Sequence, residues 1–234
     1  MFPFIKICGV QSQAEAKLCV SAGVTAVGCL VGLTHKAEDK VTPDVAAGIF
    51  ASLPKEVLSV LVTHLTEVDD LVEYANLTKP RAIQVHGDAS LQTVERLASR
   101  LPNVVLIKAV HVLDQGAVEV AREWDNAPIS AILLDSRTAD RLGGTGQTHD
   151  WGISAAIVRA SKHPVILAGG LSPANVGDAI RAVCPKGVDT NSGVEVVGGA
   201  KDPLKVRAFV QTARDEFARC DSVGDVCQPP NTAK

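Results

Sequence analysis

The sequence predicts an α/β fold, a single-domain (βα)8 TIM barrel. Short apolar runs rich in β-branched residues alternate with amphipathic stretches along nearly the whole chain. The runs number about eight, as a closed barrel requires. Two of them, Phe4-Ile5-Lys6-Ile7-Cys8-Gly9 and Ala131-Ile132-Leu133-Leu134-Asp135-Ser136, end in a reactive side chain. Barrel active sites gather at the C-terminal ends of the strands, so a thiol and a carboxylate there make a candidate base and acid.

The elements follow in pairs. Residues 4–8 read as a strand and 12–22 as a helix. The alternation continues as 26–31 with 43–53, 57–62 with 67–77, 82–85 with 91–101 and 104–110 with 114–124. It closes with 131–135 and 151–161, 165–168 and 173–183, and 187–190 and 202–217. Thr42-Pro43 and Ser172-Pro173 each set a capping hydroxyl before a proline at the first helical position. A helix after every strand implies a parallel sheet. A doubly wound open sheet shares the alternation but usually has fewer strands, and the first turn here lacks GxGxxG. The barrel is expected to span residues 1–218. Residues 219–234, with Pro229-Pro230 and few apolar side chains, read as a disordered tail.

Composition narrows the function classes. The chain has 234 residues, 46% hydrophobic and 21% charged, enough for one large core. A net charge of -3 and scattered Lys and Arg give no sign of a polyanion-binding surface, so nucleic acid is not an expected partner. No apolar stretch is long enough to span a membrane, and the N-terminus lacks the pattern of a signal peptide, so a cytoplasmic protein without a membrane partner is expected. Its state is expected to be monomer or homodimer. The six cysteines, Cys8, Cys19, Cys29, Cys184, Cys220 and Cys227, form no CxxC pair and show no zinc spacing. Free thiols are expected, mostly as small buried hydrophobes, with Cys8 set apart by its position.

Two glycine clusters follow the last two strands: Gly169-Gly170-Leu171-Ser172-Pro173 and Asn191-Ser192-Gly193. Glycine lets the backbone approach an anion closely, and the loops after the seventh and eighth barrel strands often hold a phosphate. Tight turns alone would also explain either cluster. Both together, in the two expected places, imply a small phosphorylated substrate. A third cluster, Gly143-Gly144-Thr145-Gly146, lies in the longer loop after Asp135, a loop that could close over a ligand.

These stretches carry a family resemblance. Lys6-Ile7-Cys8-Gly9, Gln84-Val85-His86-Gly87, Leu133-Leu134-Asp135-Ser136, Gly143 to Gly146 with Asp150-Trp151, Ala168-Gly169-Gly170-Leu171 and residues 187–195 resemble, in that order, the signature stretches of phosphoribosylanthranilate isomerases. The resemblance reaches to about Val210. It implies a βα barrel that performs the Amadori rearrangement of N-(5-phosphoribosyl)anthranilate to 1-(2-carboxyphenylamino)-1-deoxyribulose 5-phosphate in tryptophan biosynthesis. By the same resemblance Cys8 is the general base and Asp135 the general acid, and no metal, nucleotide or redox cofactor is involved.

The chemistry suits those side chains. An acid must protonate the furanose ring oxygen so that the ring opens to an iminium, and a base must then take the proton from C2. Cys8 needs some thiolate, which Lys6 or the surrounding field could favour. Asp135 must hold its proton, as burial or a negative neighbour would encourage. An inward Lys6 is costly unless paired; Asp189 on the last strand is its natural partner, so an ion pair competes with a catalytic role. By resemblance, Gln84 and His86 line the site as a polar wall or second layer. Lys108, His111, His35 and His64 read as solvated or packed strand-end residues.

One segment departs from the family. Its usual Ser-Pro-Arg stretch, whose arginine recognises the anthranilate carboxylate, is replaced by Leu33-Thr34-His35-Lys36-Ala37-Glu38-Asp39-Lys40-Val41-Thr42-Pro43, with Asp39 at the arginine position. An acid repels a carboxylate, so recognition would pass to Lys36, Lys40 or His35, or the substrate differs. Two alternatives stay open beside the anthranilate reaction. They are an isomerase of another phosphorylated aminosugar and a catalytically idle barrel that binds a sugar phosphate.

Overall fold

The computed structural model describes residues 3–33, 39–136 and 149–222. Strands and helices alternate as β1 (Phe4–Ile7), α1 (Gln13–Ala22), β2 (Ala26–Leu30), α2 (Pro43–Ser52), β3 (Leu58–Thr63) and α3 (Val68–Thr78). They continue as β4 (Ala82–Val85), α4 (Leu91–Arg100), β5 (Val105–His111), α5 (Ala117–Glu123), β6 (Ala131–Asp135) and α6 (Trp151–Ala160). The chain finishes with β7 (Val165–Leu167), α7 (Val176–Val183), β8 (Gly187–Thr190), a 3-10 turn at Ser192–Val194 and α8 (Pro203–Ser222). Each strand pairs in parallel with the next, and β8 returns to β1 in the register Lys6↔Asp189. The predicted barrel is closed.

Strand alternation sorts the apolar side chains into two layers. Ala26, Val60, Val62, Ala82, Ile107, Leu133 and Ile166 fill the barrel interior with Cys8. Ile5, Ile7, Leu61, Ile83, Ile132 and Leu134 face the helices and form the larger outer core. Among the described residues no helix is long and apolar enough to cross a membrane.

Caps explain most helix starts and two displaced boundaries. Thr42 caps α2 through its hydroxyl, with Pro43 opening the helix as expected. The Ser172-Pro173 start does not hold, because Asn175 intervenes. Its Oδ1 accepts from Ser172 N at 2.7 Å and its Nδ2 donates to Gly170 O at 3.0 Å, so the chain makes a turn before α7 begins at Val176. Asp114 accepts from Gly116 N at 2.8 Å, which likewise delays α5 to Ala117. At the C-terminus α8 carries on through residues 219–222, past the expected start of disorder, with Cys220 partly buried against the outer core.

Candidate active site

The inward parity of the strands continues into the loops and decides what stands at the C-terminal mouth. β1 turns Lys6 inward, and one residue past its end Cys8 keeps the same parity. Lys6 is fully buried, and its Nζ donates to Asp189 Oδ2 at 2.8 Å. Burial opposes its charge, but Asp189 and Cys8 outweigh that and hold its pKa above the ordinary lysine value. Gly28 of β2 makes the space: a Cβ there would meet Lys6 Cε at 2.8 Å and Cys8 Sγ at 3.2 Å. The ion pair foreseen for Lys6 is present, beneath the thiol.

Two expected protonation states are reversed. Burial pushes the Cys8 thiol up to about 11, and the nearby Lys6 ammonium only partly offsets this. Asp189 is a negative neighbour of Asp135, but it does not set the state of that carboxyl. Burial alone would raise its pKa, but the hydrogen bond and charge of His86, with His111 and the Ser136 N–H, hold the carboxyl below its usual range. These directions favour a neutral thiol at Cys8 and an ionised carboxylate at Asp135.

Asp135 is the end of a row. His64, His86 and His111 occupy the inward position at the ends of β3, β4 and β5, and Asp135 takes it on β6, where the register pairs it with His111. The His64 and His86 rings stack with centroids 5.2 Å apart, and His111 meets His86 edge-on at 5.1 Å. His86 Nε2 lies 3.3 Å from Asp135 Oδ2, and Gln84 Nε2 donates to His86 Nδ1 at 3.0 Å. With Nδ1 accepting, the ring proton sits on Nε2 and points at the carboxylate. Asp135 Oδ1 accepts from Ser136 N at 2.9 Å. Ser136 in turn is joined to His149 Nδ1 at 2.9 Å, which ties the end of β6 to the start of α6.

Gln84 and His86 thus lie beside Asp135. His64 and His111, read as strand-end residues of little consequence, belong to the same row. A signal was available: extending each strand's period of two by one step selects all three histidines together with Asp135. Lys108 has the opposite parity. It leaves the barrel interior, donates to Gly87 O and Ala109 O at 2.9 and 2.7 Å and lies over the Trp124 ring.

The two glycine loops meet. Thr190 Oγ1 donates to Leu171 O at 2.6 Å, and a Cβ on Gly193 would collide with that same carbonyl. Gly169 has a φ of 81° and lies against Ser136, so a side chain there would be both strained and blocked. Asn191 faces another way: its Nδ2 donates to Asp39 Oδ2 at 2.6 Å, and its Oδ1 accepts from the buried Lys201 Nζ at 2.6 Å. Lys201 also pairs with Glu195 at 2.6 Å. Asp39 is therefore strapped across the mouth to the loop after β8, a link no local pattern indicates. Lys40 is exposed, and its backbone forms a bridge with Leu30. Lys36, His35, Gly144 and Gly146 lie outside the described residues.

Comparison with known proteins agrees with this architecture. Residues 5–212 match the family model described as N-(5'phosphoribosyl)anthranilate (PRA) isomerase. The chain is 36% identical to N-(5'-phosphoribosyl)anthranilate isomerase 2 of Methanosarcina mazei, over 91% of this chain and 95% of that one. It is 39% identical to the isomerase of Methanocella arvoryzae, over 90% and 97% of the two chains. Among solved structures, phosphoribosyl anthranilate isomerase from Thermotoga maritima is 32% identical, with a TM-score of 0.81 over 92% of this chain and all of that one. A phosphoribosyl anthranilate isomerase solved in complex with reduced 1-(o-carboxyphenylamino)-1-deoxyribulose 5-phosphate is 30% identical, with a TM-score of 0.78 and the same coverage. The chain belongs to the phosphoribosylanthranilate isomerase family.

Proposed function

We propose that the chain converts N-(5-phosphoribosyl)anthranilate to 1-(2-carboxyphenylamino)-1-deoxyribulose 5-phosphate in tryptophan biosynthesis, with Asp135 as acid and Cys8 as base. The observation that carries this reading is the strand parity, which turns both Cys8 and Asp135 inward at the C-terminal mouth of a barrel of this family. Asp135 gives a proton to the ring oxygen, and the C1–O bond breaks with the electron pair going to that oxygen. The anilino nitrogen lone pair forms the iminium. Cys8 then takes the C2 proton, and the C2–H electrons form the enamine, which tautomerises to the ketone.

The pKa directions favour the proton on Cys8 rather than on Asp135 in the ligand-free state. The reactive form is its proton isomer, thiolate with carboxylic acid. Reaching it moves one proton from Cys8 to Asp135 and leaves the net charge of the site unchanged, so substrate binding has to reverse both pKa directions. A phosphate seated between the Gly169-Gly170 and Ser192-Gly193 loops would fix the ribose beside both groups.

Turnover followed by loss of the substrate's anthranilate fluorescence tests this. Wild type should be active, and Cys8→Ser and Asp135→Asn should each lose turnover while remaining folded. A wild type that is folded and binds phosphate without turning over would overturn the reading. Asp39 gives one ground for a second reading, an isomerase of another phosphorylated aminosugar, because its carboxylate stands at the mouth next to Gly9 and Asn191. Activity on an aminosugar lacking the carboxylate, exceeding that on the anthranilate compound, would favour it.

A further inference from the structure

The geometry points to a binding site for one divalent transition-metal ion, of the zinc, cobalt or nickel class, formed by His86, His111 and Asp135. Each offers one ligand atom, and the three atoms lie within 4.8 Å of one another. Two imidazoles and a carboxylate suit these ions, and three protein ligands leave a fourth position open. The His86 Nε2 to Asp135 Oδ2 separation of 3.3 Å is already the ligand–ligand edge of a tetrahedron with bonds of about 2.0 Å. His111 has to move inward by at most about 1.5 Å, which a side-chain rotation supplies.

The ligands also have the supports that metal sites use. Asp135 Oδ1 is held by the Ser136 N–H at 2.9 Å, leaving Oδ2 to coordinate. Gln84 lies 3.0 Å from His86 Nδ1, and its own buried Oε1 has no hydrogen-bond partner among the described residues. Turning the Gln84 amide over brings Oε1 to that nitrogen. The ring proton then moves to Nδ1 and donates to Oε1, freeing Nε2 for the metal. Gln84 is thus a two-position element: one orientation directs the His86 proton at Asp135, the other prepares His86 as a ligand.

A metal here occupies the oxygen assigned to deliver the proton, so the loaded form is inactive. That consequence rests on the proposed role of Asp135; metal binding does not. The ligands come from three strands, and the short-range spacing rules for zinc sites cannot find them.

The test is titration of the chelator-treated full chain with Co2+, followed by its visible d–d absorption, then displacement with Zn2+. One equivalent should develop the band and Zn2+ should remove it. Asp135→Asn and His111→Gln should each abolish the band, Gln84→Ala should weaken affinity by about tenfold, and His64→Gln should retain it. Circular dichroism melts establish that the variants are folded. No band in the wild type, or an unchanged band in folded Asp135→Asn, would overturn the site. Parallel assays of turnover separate the two claims: a Co2+ band with full activity supports the metal site and counts against Asp135 as the acid.

Discussion

His86 Nε2 faces Asp135 Oδ2 across 3.3 Å, while Gln84 holds the other nitrogen of the same ring at 3.0 Å. The imidazole holds the Asp135 carboxyl below its ordinary range, against the direction that the proposed role as acid needs. His86→Gln should raise the Asp135 pKa, because it removes the hydrogen bond and charge that hold the carboxyl low. The sign for stability follows from linkage. A depressed carboxyl contributes stability that is present above about pH 4 and lost as pH falls through its folded value. Denaturant melts from pH 7 to 3 should therefore show a steeper acid loss in wild type than in His86→Gln; parallel curves would refute the pairing.

The buried thiol makes a separate prediction. With Cys8 pushed up to about 11, alkylation of the ligand-free protein at this residue should be slow at pH 7 and rise about tenfold per pH unit until near that value. Mass spectrometry of the modified peptide gives the profile. A plateau by pH 8 would show that Lys6 outweighs burial. Replacing the thiol by Cys8→Ser should lower kcat by about 10²- to 10⁴-fold.

The Lys6–Asp189 pair beneath it is structural first. Lys6→Met leaves a buried carboxylate without its cation and should cost about 3–5 kcal/mol. Gly28→Ala, which presses on Lys6 and Cys8, should cost about 1–3 kcal/mol by overpacking and lower kcat with it. Urea unfolding monitored by Trp fluorescence measures both, and a neutral Gly28→Ala would mean that Lys6 has room to move.

Asp39→Asn removes a negative charge while retaining an oxygen to accept from Asn191. Against a substrate carrying a carboxylate and a phosphate it should lower KM by about fivefold, near 1 kcal/mol of relieved repulsion, with kcat little changed. An unchanged KM across ionic strengths would show that the Asp39 charge is neutralised by the Asn191–Lys201 network.

The number and order of elements were legible in the sequence because a parallel barrel writes one pattern, an apolar strand and then an amphipathic helix, and its strands pair in sequence order. The inward placement of Cys8 and Asp135 was legible too, since the alternation within a strand fixes which side chains face inward. The sequence missed the start of α7, where a single Asn175 side chain competes for the backbone groups that a Ser-Pro cap would otherwise organise.

Tertiary structure decided what no local rule reaches. The His64–His86–His111–Asp135 row and the Asp39–Asn191–Lys201 strap join residues that meet only because the barrel closes. Their charge states depend on that closure: burial raised Cys8, and a neighbouring imidazole lowered Asp135. Strand period and helix capping act over a few residues, so the chain alone states them. Desolvation and pairing depend on which distant side chains arrive, so only the folded barrel does.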